Sequence, residues 1–119
     1  MITPKEMEIN EVWKSEFLAL YPEAVFYSEA GYNYVYIKNL HLPEGCVPAS
    51  VSALLCISPR DGYDSRLYFS KQIQSATNRN WNSNIYVMDG NWWAISWRTQ
   101  GGLSYTEMLL VHLNAFKNE

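Results

Sequence analysis

The sequence has few of the residues on which several common classes of site depend. Its 119 residues include only two cysteines, Cys46 and Cys56, and only two histidines, His41 and His112. A small disulfide-stapled domain normally carries more cysteines, and these spacings match no zinc-site pattern. We therefore expect free thiols in a reduced cytoplasmic protein that has no metal and no cofactor.

Clusters of basic residues and long apolar segments are also missing. The chain has nine basic and twelve acidic side chains, a net charge of −3, and no group of neighbouring lysines and arginines. Binding to nucleic acid through phosphate neutralisation is therefore not expected. No apolar run approaches the length of a membrane span, and no stretch resembles a signal peptide.

Hydrophobic and aromatic side chains are abundant instead. They make up 48% and 15% of the residues, and they include nine tyrosines and five tryptophans. This length and this apolar content predict one domain, residues 1–119, with a core that needs no covalent staples. So many aromatic side chains also suit a contact surface.

Two amphipathic helices are predicted, one near each end of the chain. A capping-box pattern at residues 3–6 precedes apolar residues at helical spacing, and Pro22 ends that helix. A second capping box, formed by Ser104 and Glu107, opens the closing helix.

Six short strands are predicted between these helices. They fall at residues 25–28, 32–40, 51–57, 67–69, 85–88 and 92–97. Turn signals occur at Ala30-Gly31, Asp61-Gly62 and Asp89-Gly90. The polar residues 70–84 are predicted to form a long loop. Strands grouped between terminal helices indicate the α+β class, an antiparallel sheet covered by helices on one face.

The segment 91–98 holds three of the five tryptophans. If it is a strand, its side chains alternate between two faces. One face holds Trp93, Ile95 and Trp97, and the other holds Trp92, Ala94, Ser96 and Arg98. The first face is predicted to pack into the core. On the second, Trp92 is predicted to be exposed and to contact a partner, because tryptophan is enriched at interface hot spots.

The order of these elements resembles the ubiquitin-conjugating enzyme superfamily, and more narrowly its prokaryotic family E branch. The resemblance rests on residues 42–46, on residues 54–59 followed by Gly62-Tyr63, and on residues 93–98 before the closing helix. Asp64 stands where the family's turn has a proline. The resemblance covers most of the chain. It implies an N-terminal helix, a four-stranded antiparallel meander, an irregular region with a hairpin, and a C-terminal helix.

The same resemblance implies a role in a bacterial ubiquitin-like conjugation pathway. The implied partners are the ubiquitin-like protein and its adenylating (activating) enzyme. The family's catalytic cysteine is missing, and alignment through the tryptophans puts Ser96 in its place, with Arg98 near the branch's histidine. Two roles stay open: Ser96 is a catalytic residue that accepts the tail as an oxyester, or a non-catalytic variant binds its partner through Trp92 and Arg98.

The two cysteines are weaker candidates for that chemistry. Cys56 lies in the most apolar strand and is predicted to be a buried small hydrophobe. Cys46 lies in a proline-containing loop and is predicted to be an incidental and more exposed thiol. Neither has a candidate base nearby in the sequence, so neither is predicted to be a nucleophile.

A function of a different class also stays open, that of a non-enzymatic domain that binds a peptide or a sugar through an aromatic face. Tyr32, Tyr34 and Tyr36 alternate with Val35 and Ile37, so the three tyrosines share one face of their strand. Exposure of all three rings would favour this alternative.

Overall fold

The computed structural model of the chain describes residues 9–75 and 79–117, which form two helices and six strands. In chain order these are α1 (Glu11–Leu20), β1 (Val25–Glu29), β2 (Tyr32–His41), β3 (Ser50–Cys56), β4 (Arg66–Phe69), β5 (Trp81–Val87), β6 (Gly90–Ile95) and α2 (Tyr105–Asn114). The capping box predicted at residues 3–6 lies outside the described residues.

All six strands form one antiparallel sheet in the order β1-β2-β3-β4-β6-β5. The first four strands follow chain order, and β6 then pairs with β4 so that β5 becomes the second edge. The predicted ubiquitin-conjugating-type α+β fold with a four-stranded meander is therefore wrong. The described residues form mainly a six-stranded antiparallel sheet with two helices of ten residues each.

Part of the error lies in the polar segment 70–84. This segment was expected to be a loop, but β5 begins at Trp81 and extends the sheet. Exposed positions of an edge strand carry polar side chains such as Asn82 and Asn84, so their composition resembles that of a loop. The pairing of β4 with β6 is non-local and leaves no periodic signal in either strand.

Two-residue turns join β1 to β2 and β5 to β6. Ala30 (φ 54°) and Gly31 (φ 86°) are both left-handed, as the hairpin turn of type I′ requires, and the turn predicted there is confirmed. In the second hairpin the positive φ values fall on Met88 (54°) and Asp89 (59°). The hairpin is confirmed, but its turn lies one residue before the predicted pair Asp89-Gly90.

The helix ends follow local capping chemistry. The Asn10 side chain accepts hydrogen bonds from the first turn of α1, and the helix ends before Pro22 as predicted. The predicted capping box of α2 is confirmed. Ser104 Oγ accepts from the Glu107 backbone N–H at 3.2 Å, and the Glu107 carboxylate accepts from the Ser104 N–H at 2.8 Å.

Both helices pack on one face of the sheet, which we call the helix-covered face. A buried apolar cluster fills the space between them. It includes Phe17 of α1, Leu109 and Leu113 of α2, and the sheet residues Val35, Ile37, Val51, Ala53, Leu55, Leu67, Phe69 and Ile95. These sheet positions alternate along their strands, so the period-two pattern of the sequence explains this half of the core.

The opposite face is concave. Tyr36 of β2 and Trp92 of β6 lie three strand spacings apart in the sheet, about 14 Å if the sheet were flat. Their ring centroids are only 6.1 Å apart. At one end the edges also meet, because a Glu29 carboxylate oxygen accepts from the Met88 N–H at 3.3 Å. Curvature therefore closes this face, which no helix of the described residues covers.

A second buried cluster lies on the concave face. It consists of Tyr34, Leu54, Cys56, Tyr68, Val87, Trp92 and Ala94. Tyr32, Tyr34 and Tyr36 do share this face, as the sequence predicted, but Tyr34 is buried and the other two are half-buried. The three rings therefore do not form an exposed aromatic platform.

Candidate functional site

The candidate site is built around Tyr63, which follows the tight turn at Asp61-Gly62. The turn residues have φ values of 53° and 85°, and the backbone groups of Arg60 and Tyr63 pair across it. Two guanidinium groups lie over the Tyr63 ring. The Arg66 guanidinium lies 4.0 Å from the ring centroid and that of Arg98 lies 4.5 Å from it.

Two exposed side chains flank the hydroxyl of the same tyrosine. Asn82 Nδ2 donates to the Tyr63 hydroxyl at 3.4 Å, and that hydroxyl lies 3.5 Å from Ser96 Oγ. The contact with Ser96, followed by that with Asn82 and by the charges of Arg66 and Arg98, lowers the pKa of Tyr63 from its ordinary value of 10.0. We call Tyr63, Arg66, Asn82, Ser96 and Arg98 the Tyr63 site.

Arg66 is a buried cation, only 3% exposed. Its Nη2 donates to Asn82 Oδ1 at 2.6 Å and to the Ile95 carbonyl at 2.9 Å, whereas its Nε has no hydrogen-bond partner among the described residues. No described carboxylate forms an ion pair with it. A buried charge without a counter-ion is costly, so the bonds to Asn82 and Ile95 and the two tyrosine rings beside it carry its compensation.

Arg98, in contrast to Arg66, is exposed to solvent. Its Nη1 donates to the Gly62 carbonyl at 2.6 Å, which fixes the guanidinium plane against the ring. Guanidinium has five N–H donors, and within the described part of the chain no carboxylate pairs with this one. Arg98 can therefore offer a fork of donors to an anionic group.

Ser96 is exposed and lies just past the end of β6. Its backbone N–H donates to the Asn80 carbonyl at 2.8 Å, which extends the pairing of β5 with β6 by one bond. Neither histidine serves it as a base: His41 ends β2, and His112 bonds to Ser65 instead. Whether Ser96 is a nucleophile stays a prediction.

Trp92 is not where the sequence was expected to put it. It is 6% exposed, and its indole Nε1 donates to the Val87 carbonyl at 2.9 Å. The prediction of an exposed Trp92 is therefore wrong, because the concave face is closed by curvature and is not a free surface. Trp97 packs half-buried against the helix-covered cluster, with its indole bonded to the Val111 carbonyl.

A second polar group, Ser65, His112 and Thr99, lies on the helix-covered side. Ser65 Oγ is 2.9 Å from His112 Nε2 and 3.0 Å from Thr99 Oγ1. Burial, together with the charge of Arg66, lowers the pKa of His112 from 6.5 to about 4. Ser65 and His112 have the spacing of a nucleophile and its base, but both are buried from solvent, so this is a structural network.

Both cysteines are free and buried. Burial raises the pKa of Cys46, and it raises that of Cys56 to about 11, so neither holds a useful thiolate fraction near neutral pH. Cys56 is the buried hydrophobe that was predicted. The prediction of an exposed Cys46 is wrong, because its loop packs under Phe116 and buries the sulfur.

Sequence reasoning found Ser96 and Arg98 but missed the residues that join them. Tyr63 was noted only as part of a turn, and Arg66 and Asn82 were not singled out. The one usable signal was the pair Asp61-Gly62, because a tight left-handed turn fixes the direction of the residue that follows it. The approach of Asn82 depends on the first residues of β5, 81–84, which were predicted to belong to a loop.

Among the described residues, no group of histidine, cysteine or acidic side chains could hold a metal ion. The two helices of the described chain are too short or too polar to cross a membrane. Comparisons with models of protein families, with curated proteins and with solved structures give no match for this chain. The resemblance to ubiquitin-conjugating enzymes therefore remains a prediction, without the fold that it implied.

Proposed function

We propose that this chain is a non-enzymatic binding domain that takes a carboxylate of a peptide or protein partner at the Tyr63 site. One observation carries the proposal. Two guanidiniums, of Arg66 and Arg98, lie over one tyrosine ring, and no described carboxylate neutralises either of them. The chain as a whole carries a net charge of −3, so this local excess of positive charge stands out.

The donors around the site suit a carboxylate. Arg98 can bind both carboxylate oxygens through its planar fork, and the Ser96 hydroxyl and the Asn82 amide are exposed beside it. Arg66 is buried, so it adds charge to the site without a direct contact with the ligand. Attraction between unit charges a few ångströms apart is substantial at a partly dry surface, where the effective dielectric constant is far below that of water.

A sugar is a poorer ligand for the same place. Sugars stack on the open face of an aromatic ring, whereas two guanidiniums lie over the Tyr63 ring and Tyr63 is only 9% exposed. On the concave face Tyr34 is buried, so no row of three open rings is available there either. Of the two ligand classes that the sequence left open, the geometry therefore favours the peptide.

Titration followed by amide NMR tests this proposal. The probe is a short peptide with a free C-terminal carboxylate, and the same peptide with an amidated C-terminus is its matched control. We expect shift changes that cluster around Tyr63, Ser96 and Arg98 with the free acid only. Equal changes with the amidated peptide, or changes elsewhere, would contradict the proposal.

A charge-matched pair of variants completes the test. Arg98→Gln removes the exposed fork, and Lys38→Gln removes one positive charge from an exposed position on β2. We expect Arg98→Gln to weaken binding of the free-acid peptide by about tenfold, the loss of one charge-assisted bond. Lys38→Gln should leave the affinity unchanged. Equal losses in both variants would mean that net charge, and not the Tyr63 site, attracts the peptide.

We also propose, as a second candidate, that Ser96 accepts the tail of a ubiquitin-like protein as an oxyester in a bacterial conjugation pathway. What supports it is the exposure of Ser96 and its contact with a tyrosine whose pKa is lowered. Intact-mass analysis after incubation with the activating enzyme, ATP and the ubiquitin-like protein tests it. An adduct that disappears in Ser96→Ala is expected; its absence from the wild-type protein would exclude this role.

We also propose that the protein is located in the cytoplasm. Two buried thiols that remain free are compatible with a reducing compartment. Fractionation of cells that express a tagged full-length protein would test this localisation, and recovery outside the cytoplasmic fraction would contradict it.

A further inference from the structure

Strand β5 forms an open edge of the sheet. It is the last strand in the order, and it pairs only with β6 among the described strands. Val87 and Gly90 close the two-residue turn and so exchange backbone hydrogen bonds. Because bonded and non-bonded pairs alternate along an antiparallel ladder, the backbone groups of Asn84 and Tyr86 point away from β6.

This edge lacks two of the features that usually protect an edge strand, charged side chains and proline, although its register with β6 shifts between Trp81 and Ser83. Its seven residues, Trp81–Val87, contain no charged side chain and no proline, and Tyr86 is 64% exposed. The other edge, β1, has five residues, includes Glu29, and follows Pro22 and Glu23 closely. Natural sheets place charges and prolines at edges because an unprotected edge pairs with another strand.

The β5 sequence is complementary to itself in the antiparallel direction. Pairing centred on Asn84 puts Trp81 opposite Val87 and Ser83 opposite Ile85 of a second copy. By the same count the nearest flanking charges, Arg79 before the strand and Asp89 in the turn after it, fall at matching positions, so opposite signs come together near both ends. Parallel pairing would put Arg79 beside Arg79 and Asp89 beside Asp89, which is unfavourable.

We propose that two copies of this chain associate through β5, antiparallel and centred on Asn84, so that one sheet continues across both copies. The symmetry is twofold, and the Asn84 backbone groups of each copy bond to those of the other. Arg79 keeps its bond to the Ala115 carbonyl. Its positive charge therefore favours the antiparallel direction, but its side chain makes no contact with the second copy. This inference does not depend on the carboxylate site.

Sedimentation equilibrium with a charged variant at the centre tests the association. Asn84→Lys puts two lysines opposite each other on the twofold axis, and like charges in that position destabilise a strand pair. We expect a concentration-dependent dimer for the wild type and an association constant about fivefold lower for the variant. Asn39→Lys, at an exposed position of β2, is the matched control and should associate like the wild type.

Cross-linking tests the register. Antiparallel partners in a bonded pair have Cα atoms close enough for a disulfide, so Asn84→Cys should join two copies under mild oxidation. Ser15→Cys, exposed on α1, should not, and the two native cysteines are buried. A monomeric wild type, or equal cross-linking of both variants, would overturn the proposal. Thermal melting of each variant confirms that it remains folded.

Discussion

The two faces of the sheet are both buried, yet they are built from different side chains. The helix-covered face is closed by α1 and α2, and its buried sheet residues are aliphatic or phenylalanine. The concave face is closed by curvature, and its cluster contains Tyr34 and Tyr68. Two guanidiniums contact this cluster, since Arg60 donates to the Tyr34 hydroxyl and Arg66 lies beside the Tyr68 ring.

This difference shows that the two halves of the core are specified in different ways. The stability of an apolar cluster depends on how completely its side chains fill the available volume, because apolar atoms need only close contact. Buried hydroxyl and guanidinium groups also gain from hydrogen-bond partners, so the concave face depends in part on directed bonds such as those of Tyr34 and Arg66. Substitutions that remove volume should therefore act most strongly on the helix-covered face, and those that remove one polar atom on the concave face.

The largest effect is expected for Phe69→Ala on the helix-covered face. Phe69 is fully buried and meets the rings of Trp81 and Phe116 edge-on, at 5.9 and 5.5 Å between centroids. Its loss leaves a cavity, and we expect the free energy of unfolding in urea to fall by about 3–5 kcal/mol. Tyr68→Phe, the neighbouring residue on the other face, keeps its volume and should cost less than about 1.5 kcal/mol.

Acid should lower the stability of the fold through His112, a buried imidazole on the helix-covered side. The pKa of His112 is about 4 in the folded chain and 6.5 ordinarily, so below pH 6.5 the unfolded chain binds the proton and the folded chain does not. Stability is then complete above pH 6.5 and falls as the pH drops towards 4, by about 3 kcal/mol in all.

Comparison with His112→Gln isolates this contribution from that of the carboxylates. Urea unfolding between pH 7 and pH 4 should give a smaller loss of stability for the variant than for the wild type. Parallel curves for the two proteins over that range would show that His112 is not held neutral by burial beside Arg66.

The helix-covered face could be predicted from the sequence, and the concave face could not. Alternation alone assigns Val35, Ile37, Leu67 and Phe69 to one side of their strands, and that side is where the helices pack. The same alternation assigns Trp92 to the other side, but it does not predict whether that side is exposed to solvent. Its burial depends on curvature, which brings Tyr36 onto it from three strands away.

A smaller effect is expected for Tyr34→Phe on the concave face. The Tyr34 hydroxyl accepts a hydrogen bond from Arg60 Nη1, and burial raises the pKa of Tyr34 to about 12. Removing the hydroxyl leaves a partly buried cation with one bond fewer, and we expect a loss of about 1.5 kcal/mol. Tyr36→Phe, half-buried on the same strand, should cost less than about 0.5 kcal/mol. Equal losses would mean that packing, and not the bond to Arg60, sets the cost.

The candidate site was predictable only where it lies on a recognised strand. Ser96 and Arg98 stand beside the tryptophan-rich segment, so the sequence drew attention to them. Arg66 begins a strand of four residues that are all buried, where a charged residue would not be expected. Asn82 reaches Tyr63 because β5 begins at Trp81, four residues before the strand predicted there, and the polar residues 81–84 gave no strand signal.

The smallest effect on stability, with the most specific readout, is expected for Ser96→Ala. Ser96 is exposed, so unfolding in urea should change by no more than about 0.5 kcal/mol. Its hydroxyl is the largest of the influences that lower the pKa of Tyr63, so the variant's Tyr63 should titrate closer to 10.0. Ring-carbon NMR of labelled tyrosine follows this residue, and Ser15→Ala on α1 is the control. If the titration of Tyr63 does not move, the guanidiniums of Arg66 and Arg98 suffice to set it, and the site then depends on charge rather than on a directed hydrogen bond.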